Sequence, residues 1–105
     1  MLTINRNKNG DELTVSLEGK ITSKTAPELE SEIERMPQDV KTLILDFEGL
    51  EYLTSAGLRV LLTTQQKMED AGSVMKLRHI NSAIMSVFNS TGFIDVLTIE
   101  EENKE

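Results

Sequence analysis

The chain has 105 residues, of which 38% are hydrophobic and 28% charged, with a net charge of −7 at pH 7 and no cysteine. These values predict one globular domain and exclude disulfides, thiolate metal sites and cysteine nucleophiles. Lys and Arg are scattered without a basic stripe, so nothing indicates nucleic-acid binding. The absence of cysteine and of any membrane-length apolar run predicts a soluble, cytoplasmic protein without a membrane anchor.

The first two strands are predicted to form a hairpin. Residues 2–5 alternate between apolar and polar side chains, and residues 13–18 alternate in the same way. Asn9-Gly10-Asp11 stands between the two segments and is a turn signal of the kind that joins antiparallel strands.

The first helix is predicted by an apolar stripe of helical period, formed by Ala26, Leu29, Ile33 and Met36. A polar loop precedes it, and Thr25 and Glu28 have the spacing of a capping box. The glutamates of this helix lie away from the stripe. We therefore expect them to form a solvated acidic face and not a catalytic or metal-binding cluster.

The central stretch from Thr42 to Lys67 is the most informative part of the chain. Its apolar run over residues 43–45 predicts a buried strand that closes at Asp46, with a turn after it. Thr54 and Ser55 then stand where a second helix begins. The predicted apolar stripe of that helix consists of Leu58, Leu61, Leu62, Gln65 and Met68.

Two explanations fit a pair of hydroxyl residues at the start of a helix. A Ser or Thr there can accept a hydrogen bond from a free backbone N–H, a cap worth roughly 1 kcal/mol. Alternatively, Ser55 is an exposed site of modification, because a helix N-terminus favours an added anion and a phosphate brings about −1.5 to −2 charges. The spacing alone favours the cap, because capping residues are far commoner than switches.

A further strand and helix follow the second helix. Gly72 is suited to a left-handed helix cap, and residues 74–77 predict a short strand. Asn81 or Ser82 is expected to cap a third helix that ends at Gly92. The residues predicted to be buried on this helix are Ile84, Val87 and Phe88.

A last strand is expected over residues 96–99, followed by a short acidic tail at about residues 100–105. Strands that alternate with helices after an initial hairpin predict an α/β fold, in which helices pack against a small, mixed, mostly parallel sheet. The chain has no repeat, low-complexity segment or linker. Residues 1–105 are therefore predicted to form a single domain.

Residues 45–62 resemble the signature of the STAS domain family, the anti-sigma-factor antagonists. In that family an aliphatic strand, an acidic or amide residue and a short loop lead to a D-S-S-G-L or S-S-A-G-L type junction, here Thr54-Ser55-Ala56-Gly57-Leu58. Residues 17–22 are similar to the end of the family's early strand, and residues 87–93 to its late helix ending at Gly. The resemblance covers nearly the whole chain and implies a STAS-like fold.

The resemblance implies regulation by partner switching. The unphosphorylated domain of such proteins binds a cytoplasmic anti-sigma factor serine kinase and so frees the sigma factor. Phosphorylation by that kinase breaks the complex, and a protein serine phosphatase restores it. The family's phosphorylated serine falls on Ser55, and the residues expected to bind the partner are Thr22, Thr54, Ser55, Ala56, Gly57 and Arg59. The domain itself is expected to catalyse nothing and to need no cofactor.

The chain departs from the family pattern at two positions. Thr54 stands where many switching members have Asp, and Thr22 stands where an Asp of the early loop is common. Thr54 is therefore a rival phosphoacceptor. Arg59 follows Ser55 by four residues on the same helical face, where it can pair with a phosphate or an acidic partner, although a solvated Arg is the commoner case. The alternatives are a phosphorylation-independent adaptor or scaffold and a small-ligand module.

An enzyme would have to draw on Asp46, Ser55 and His79, the single histidine. All three lie near predicted strand ends, but the Ser55 junction lacks the first Gly of the G-x-S-x-G elbow, so catalysis is not predicted. No His or Cys pair and no spacing of carboxylates indicates a metal site. A Gly-rich phosphate loop is also absent.

Overall fold

The structure of the protein is a computed structural model that describes residues 2–100. The elements along the chain are β1 (Leu2–Asn9), β2 (Glu12–Ile21), α1 (Ala26–Glu34), β3 (Thr42–Leu53), α2 (Ser55–Asp70), β4 (Val74–Arg78), α3 (Ser82–Thr91), a short 3-10 helix (Phe93–Asp95) and β5 (Ile99–Glu100). Of the predicted acidic tail, Glu100 belongs to β5, and residues 101–105 lie outside the described residues.

The five strands form one sheet in the order β1-β2-β3-β4-β5. β1 and β2 are antiparallel, whereas every other pair of neighbours is parallel. The turn of the hairpin contains Gly10 at φ 65, a left-handed conformation that glycine adopts at little cost. The predicted mixed, mostly parallel sheet and its opening hairpin are both confirmed.

The core lies between one face of the sheet and the helices. Every second residue of the central strands points into it, which is the pattern of strands covered on that face. The sheet contributes Leu13, Val15, Leu17, Leu43, Leu45, Phe47, Met75 and Leu77, and the helices contribute Leu29, Ile33, Leu58, Leu61, Ile84 and Phe88. The other side, here called the open face, carries a polar row in register across all five strands, Asn5, Ser16, Asp46, Arg78 and Glu100.

α2 buries a broader face than its predicted stripe. Leu58, Leu61, Gln65 and Met68 are buried as predicted. Leu62, however, is 40% exposed, and Val60 and Thr64 are buried in its place, because α2 packs against α1 as well as the sheet. The buried Thr64 hydroxyl is satisfied within the helix, since it donates to the Val60 carbonyl at 2.7 Å.

The turn predicted after Asp46 is wrong, because β3 continues to Leu53. Asp46 instead accepts a hydrogen bond from the Glu48 N–H at 3.0 Å, at the first of two irregularities in the pairing with β2. The buried residues of this second half of the strand, Phe47, Leu50 and Leu53, recur at every third position. Because this spacing differs from the two-residue period of a strand, alternation does not predict the second half of β3.

The C-terminal elements agree with prediction except for the last strand. α3 begins at an Asn81 cap, whose side chain accepts from the Ile84 N–H at 2.8 Å, and ends at Gly92 with φ 83. Ile84 and Phe88 are buried, and Val87 is partly buried. The strand predicted over residues 96–99 is reduced to Ile99–Glu100, because the chain first forms the 3-10 helix. Within residues 2–100, no helix is both long and apolar enough to cross a membrane.

Candidate functional site at the start of α2

The start of α2 is tied to the end of the neighbouring strand β2. Thr54 precedes the helix, and its backbone N–H donates to the Ile21 carbonyl at 2.9 Å. Its hydroxyl lies 3.4 Å from the same oxygen. Ile21 and Leu53 are register partners at the ends of their strands. Thr22 and Thr54, which directly follow them, therefore lie side by side at one edge of the sheet.

The close approach of α2 to this edge depends on Gly57. Gly57 is buried, and a Cβ on it would lie only 2.9 Å from Ile21 Cγ2 and 3.2 Å from Leu53 Cβ. Such contacts would force the helix away from the strands. Gly57, one of the residues expected to bind a partner, thus sets the position of the junction but presents no side chain at the surface.

The loop from β2 to α1 forms the other side of the site. The Thr25 hydroxyl accepts from the Thr22 N–H at 2.8 Å and donates to the Lys20 carbonyl at 2.9 Å. Thr25 is the N-cap residue of α1, yet its side chain makes no capping hydrogen bond, so the predicted capping box with Glu28 is wrong. The hydroxyl is used to close the loop, which holds Thr22 half-buried beside Thr54.

Ser55 is the first residue of α2 and is exposed. Its hydroxyl makes no hydrogen bond to any residue of the described chain, and the N-cap residue Thr54 provides no side-chain cap. The capping role favoured by the spacing is therefore wrong for both residues. The first turn also contains no acidic side chain. Because free N–H groups and the helix dipole make this end electropositive, it is suited to an added anion.

Three more residues lie close to Ser55 in the sequence, at the end of β3 and in the first turns of α2. Arg59 follows one helical turn later and is exposed, and it has no ion-pair partner within residues 2–100. Ala56 is half-buried, and Tyr52 at the end of β3 is 50% exposed. An exposed tyrosine and arginine are residue types enriched in protein interfaces. The sequence makes Tyr52 and Phe47 candidates to flank the partner surface, but Phe47 is fully buried in the core.

The three residues on which an enzyme would have to draw are not joined by a continuous series of hydrogen bonds. His79 Nδ1 lies 2.8 Å from Asp46 Oδ1 and 4.0 Å from Glu48 Oε1. Ser55 makes no hydrogen bond to either Asp46 or His79 in the described structure. Asp46 and His79 are separated by 33 residues in sequence. They meet because Asp46 is the register partner of Arg78, the residue before His79.

The fold and the site together define a small α/β domain whose candidate hydroxyl stands on the surface, at a loop-to-helix junction, and not in a catalytic constellation. The chain belongs to the STAS domain family, because the family model described as "Mlab, STAS domain" matches residues 4–98.

Relatives of this chain agree with that assignment. The anti-sigma-B factor antagonist of Bacillus subtilis is 21% identical over 103 residues, covering 98% of this chain and 94% of that protein. The crystal structure of an anti-sigma factor antagonist from Mycobacterium paratuberculosis is similar with a TM-score of 0.85 at 25% identity, covering 94% and 85% of the two chains. The Bacillus cell fate determinant SpoIIAA in its phosphorylated form has the same fold, with a TM-score of 0.76 at 16% identity, covering 97% and 93%. The predicted family and the STAS-like fold are confirmed.

Proposed function

We propose that the protein is an anti-sigma factor antagonist that works by partner switching at Ser55. The unphosphorylated domain binds an anti-sigma factor serine kinase through the start of α2, phosphorylation of Ser55 releases it, and a protein serine phosphatase resets the switch. The observation that carries the proposal is the exposed Ser55 hydroxyl, which has no hydrogen bond within residues 2–100 and stands at a helix end without a side-chain cap. The names of the relatives support the class of function.

The proposed contact surface is centred on Ser55. It includes the two neighbouring threonines, Thr22 and Thr54, and on the helix Ala56 and Arg59. Gly57 takes part only by holding the helix against Ile21. This surface is formed by the loop after β2 and the junction after β3, and both are anchored at the strand ends. A surface that is already held in its binding conformation loses less entropy when a partner binds.

Phosphorylation of Ser55 destabilises the complex and stabilises the free domain. In the complex, a dianionic phosphate would be buried in a packed interface, where desolvation and repulsion disfavour it. In the free domain, the same group would lie at the electropositive end of α2, with Arg59 one turn away to pair with it. Both effects favour the separated state.

Ser55 is a better phosphoacceptor than its rival Thr54. Ser55 is exposed, whereas Thr54 is half-buried and its hydroxyl lies 3.4 Å from the Ile21 carbonyl. Modification of Thr54 would require that hydroxyl to turn away from β2. The geometry therefore favours Ser55, as the family resemblance implies.

The test compares tagged wild type, Ser55→Ala, Ser55→Glu and Ser82→Glu in a pull-down from native cell extract, read by mass spectrometry. Ser82 is a matched control, because it is also an exposed serine at the first position of a helix. We expect a serine kinase to be retained by wild type, Ser55→Ala and Ser82→Glu and lost with Ser55→Glu. Addition of ATP to the captured wild-type complex should place phosphate on Ser55.

Two results would contradict the proposal. If Ser55→Glu retains the same partners and no phosphate is found on Ser55 or Thr54, the domain is a phosphorylation-independent adaptor or scaffold. If phosphate is found on Thr54 alone, the assignment of the switch to Ser55 is wrong. Circular dichroism of each variant shows whether a lost partner reflects a lost fold.

A further inference from the structure

A cluster of three metal-ligating side chains lies on the open face of the sheet, separate from the start of α2. Asp46 and Glu48 belong to β3, and His79 directly follows β4. One ligand atom from each lies within 4.8 Å of the others. The shortest separation, 2.8 Å, joins His79 Nδ1 to Asp46 Oδ1. The partner-switching proposal uses none of these three residues.

The backbone brings the three side chains together by two local features. Glu48 follows Asp46 by two residues in β3, so the alternation of the strand places both side chains on the same face, where Glu48 is 80% exposed. At the end of β4, His79 adopts φ 61, a conformation uncommon for residues other than glycine. This directs its ring back across the sheet to Asp46, whose side chain is only 16% exposed.

Two carboxylates and one imidazole are a ligand set suited to a divalent transition metal. Imidazole favours Zn²⁺ over Mg²⁺ and Ca²⁺, which prefer ligand sets made of oxygen alone. Ligand atoms about 2.0–2.2 Å from a tetrahedral Zn²⁺ lie roughly 3.3 Å from one another. The separations of 2.8 and 4.0 Å between His79 and the two carboxylates bracket that value. Small side-chain movements would therefore admit the ion.

Two members of the cluster, Asp46 and Glu48, line a pocket of about 250 Å³ that supplies room for further ligands. Besides Asp46 and Glu48, its lining carries oxygen atoms from Asn5, Ser16 and Glu18. Glu18 adds a third carboxylate, so the pocket is acidic and attracts cations. Arg78, the nearest basic residue along the row, is already paired with Glu100 at 3.2 Å. A bound ion could therefore complete its coordination with water on the solvent side.

We propose that Asp46, Glu48 and His79 bind one divalent transition-metal ion, Zn²⁺ or an ion of similar ligand preference, on the open face. The ion joins β3 to β4 by side-chain bonds beyond the sheet hydrogen bonds. Because it binds the folded chain, it raises the free energy of unfolding, and the gain grows with the logarithm of the ion's concentration relative to its Kd. The proposal is independent of partner switching, since Ser55 contributes nothing to this cluster.

The test is calorimetric titration of the metal-free full chain with zinc chloride, with magnesium chloride as a second titrant. The variants are His79→Gly, which suits the positive φ, and Glu48→Gln, with Glu51→Gln as a control that removes the same charge from the same strand. We expect wild type and Glu51→Gln to bind one Zn²⁺ equally. His79→Gly and Glu48→Gln should each lose about tenfold in affinity or more. Mg²⁺ should bind wild type more weakly than Zn²⁺.

A second measurement does not depend on whether the variants fold. Addition of Zn²⁺ to ¹⁵N-labelled wild type should shift backbone resonances centred on Asp46, Glu48 and His79. Shifts centred elsewhere overturn the proposal, as does the absence of stoichiometric binding. Equal affinity in folded His79→Gly also overturns it, and the contact between His79 and Asp46 is then a hydrogen bond only.

Discussion

Ser55 and Gly57 stand two positions apart in the first turn of α2, in opposite environments. The Ser55 hydroxyl projects into solvent, whereas Gly57 is enclosed by Ile21 and Leu53. The buried residue fixes where the exposed one stands, because it sets the distance between the helix and the strand ends. A surface hydroxyl with a fixed position can be recognised by a kinase and can also be covered by a flat interface.

Replacing Ser55 with Glu is expected to raise the free energy of unfolding of the isolated domain by about 0.3–1 kcal/mol. The reason is that the carboxylate meets an electropositive helix end with no cap and no acidic neighbour in the first turn. The net charge of −7 opposes the change, but charges more than about 10 Å away are screened at 0.1 M salt.

Urea denaturation at that salt concentration measures the effect, with Ser55→Gln as an uncharged control of the same size. The difference between the two variants should shrink in about 1 M salt, where charges are screened within about 3 Å. If Glu is less stable than Gln at low salt, the helix end does not favour an anion. The argument for phosphate in the free state then fails.

The absence of a side-chain cap at the start of α2 could not be predicted from the local sequence. The hydroxyl of Thr54 lies near the Ile21 carbonyl, and that contact spans 33 residues. The contact between Asp46 and His79 spans the same distance in sequence. Local spacing carries no information about such contacts, so it favoured a cap and showed no metal-ligand set. The proposal of Ser55 as the phosphoacceptor rests on the resemblance to a family, since spacing alone favoured a cap.

At the scale of elements, the Asn81 side chain links the start of α3 to β3 by hydrogen bonds, beside the apolar packing of the helix on the core. Asn81 accepts the Ile84 N–H at 2.8 Å and donates from Nδ2 to the Leu50 carbonyl at 3.1 Å. It therefore caps the helix and joins the cap to the irregular half of β3. The capping function could be predicted from the sequence, but the bond to Leu50 could not, because β3 was expected to end at Asp46.

Asn81→Ala is expected to lower the free energy of unfolding by about 1–2 kcal/mol, since it removes both interactions. Asn81→Asp keeps the cap acceptor but has no N–H for the Leu50 carbonyl. Its stability should therefore fall between those of wild type and Asn81→Ala. Thermal or urea unfolding measures all three, with the exposed neighbour Ser82→Ala as a control expected to change stability by less than about 0.5 kcal/mol. Equal stability of Asn81→Asp and wild type would show that the link to β3 contributes nothing.

The accuracy of each predicted element followed the regularity of its pattern. The hairpin and α1 show clean periods of two and of about 3.6 residues, and both were predicted, although Met36 of the predicted stripe lies beyond the end of α1 at Glu34. α2 was predicted at the correct place in the chain, but its buried face was predicted only in part. Val60 and Thr64 are buried because they face α1, and the predicted stripe contained neither residue. The second half of β3 was missed because its buried residues follow neither period.

At the scale of the whole molecule, the helices cover one side of the sheet, and the other side carries the polar row together with the buried Ile44. β3 is paired on both edges over Thr42–Asp46, whereas β1 and β5 lie at the ends of the sheet. Leu43 and Leu45, which are fully buried, lie in this segment that is paired on both edges. Opening this segment requires separation from two neighbours at once.

Amide hydrogen exchange followed by NMR should show this order of stability. We expect the amides of Leu43 and Leu45 to exchange at rates near those of global unfolding, because only global unfolding releases them. The amides of β5 should exchange fastest among the strands, since that strand has two residues and one neighbour. Exchange from Leu43 as fast as from Ile99 would contradict the proposed order.

In the second half of their pairing, β3 contains more residues than β2. Between the register pairs Ser16–Asp46 and Ile21–Leu53, β2 spans six residues and β3 spans eight. The two extra residues of β3 are accommodated where two consecutive residues, instead of one, face outward between buried residues. These pairs are Glu48–Gly49 and Glu51–Tyr52. If one residue were lost from either pair, regular alternation would keep the flanking apolar residues inside. Insertions and deletions in related chains should therefore collect in this half of β3, because in the first half the same change would turn the core residues outward.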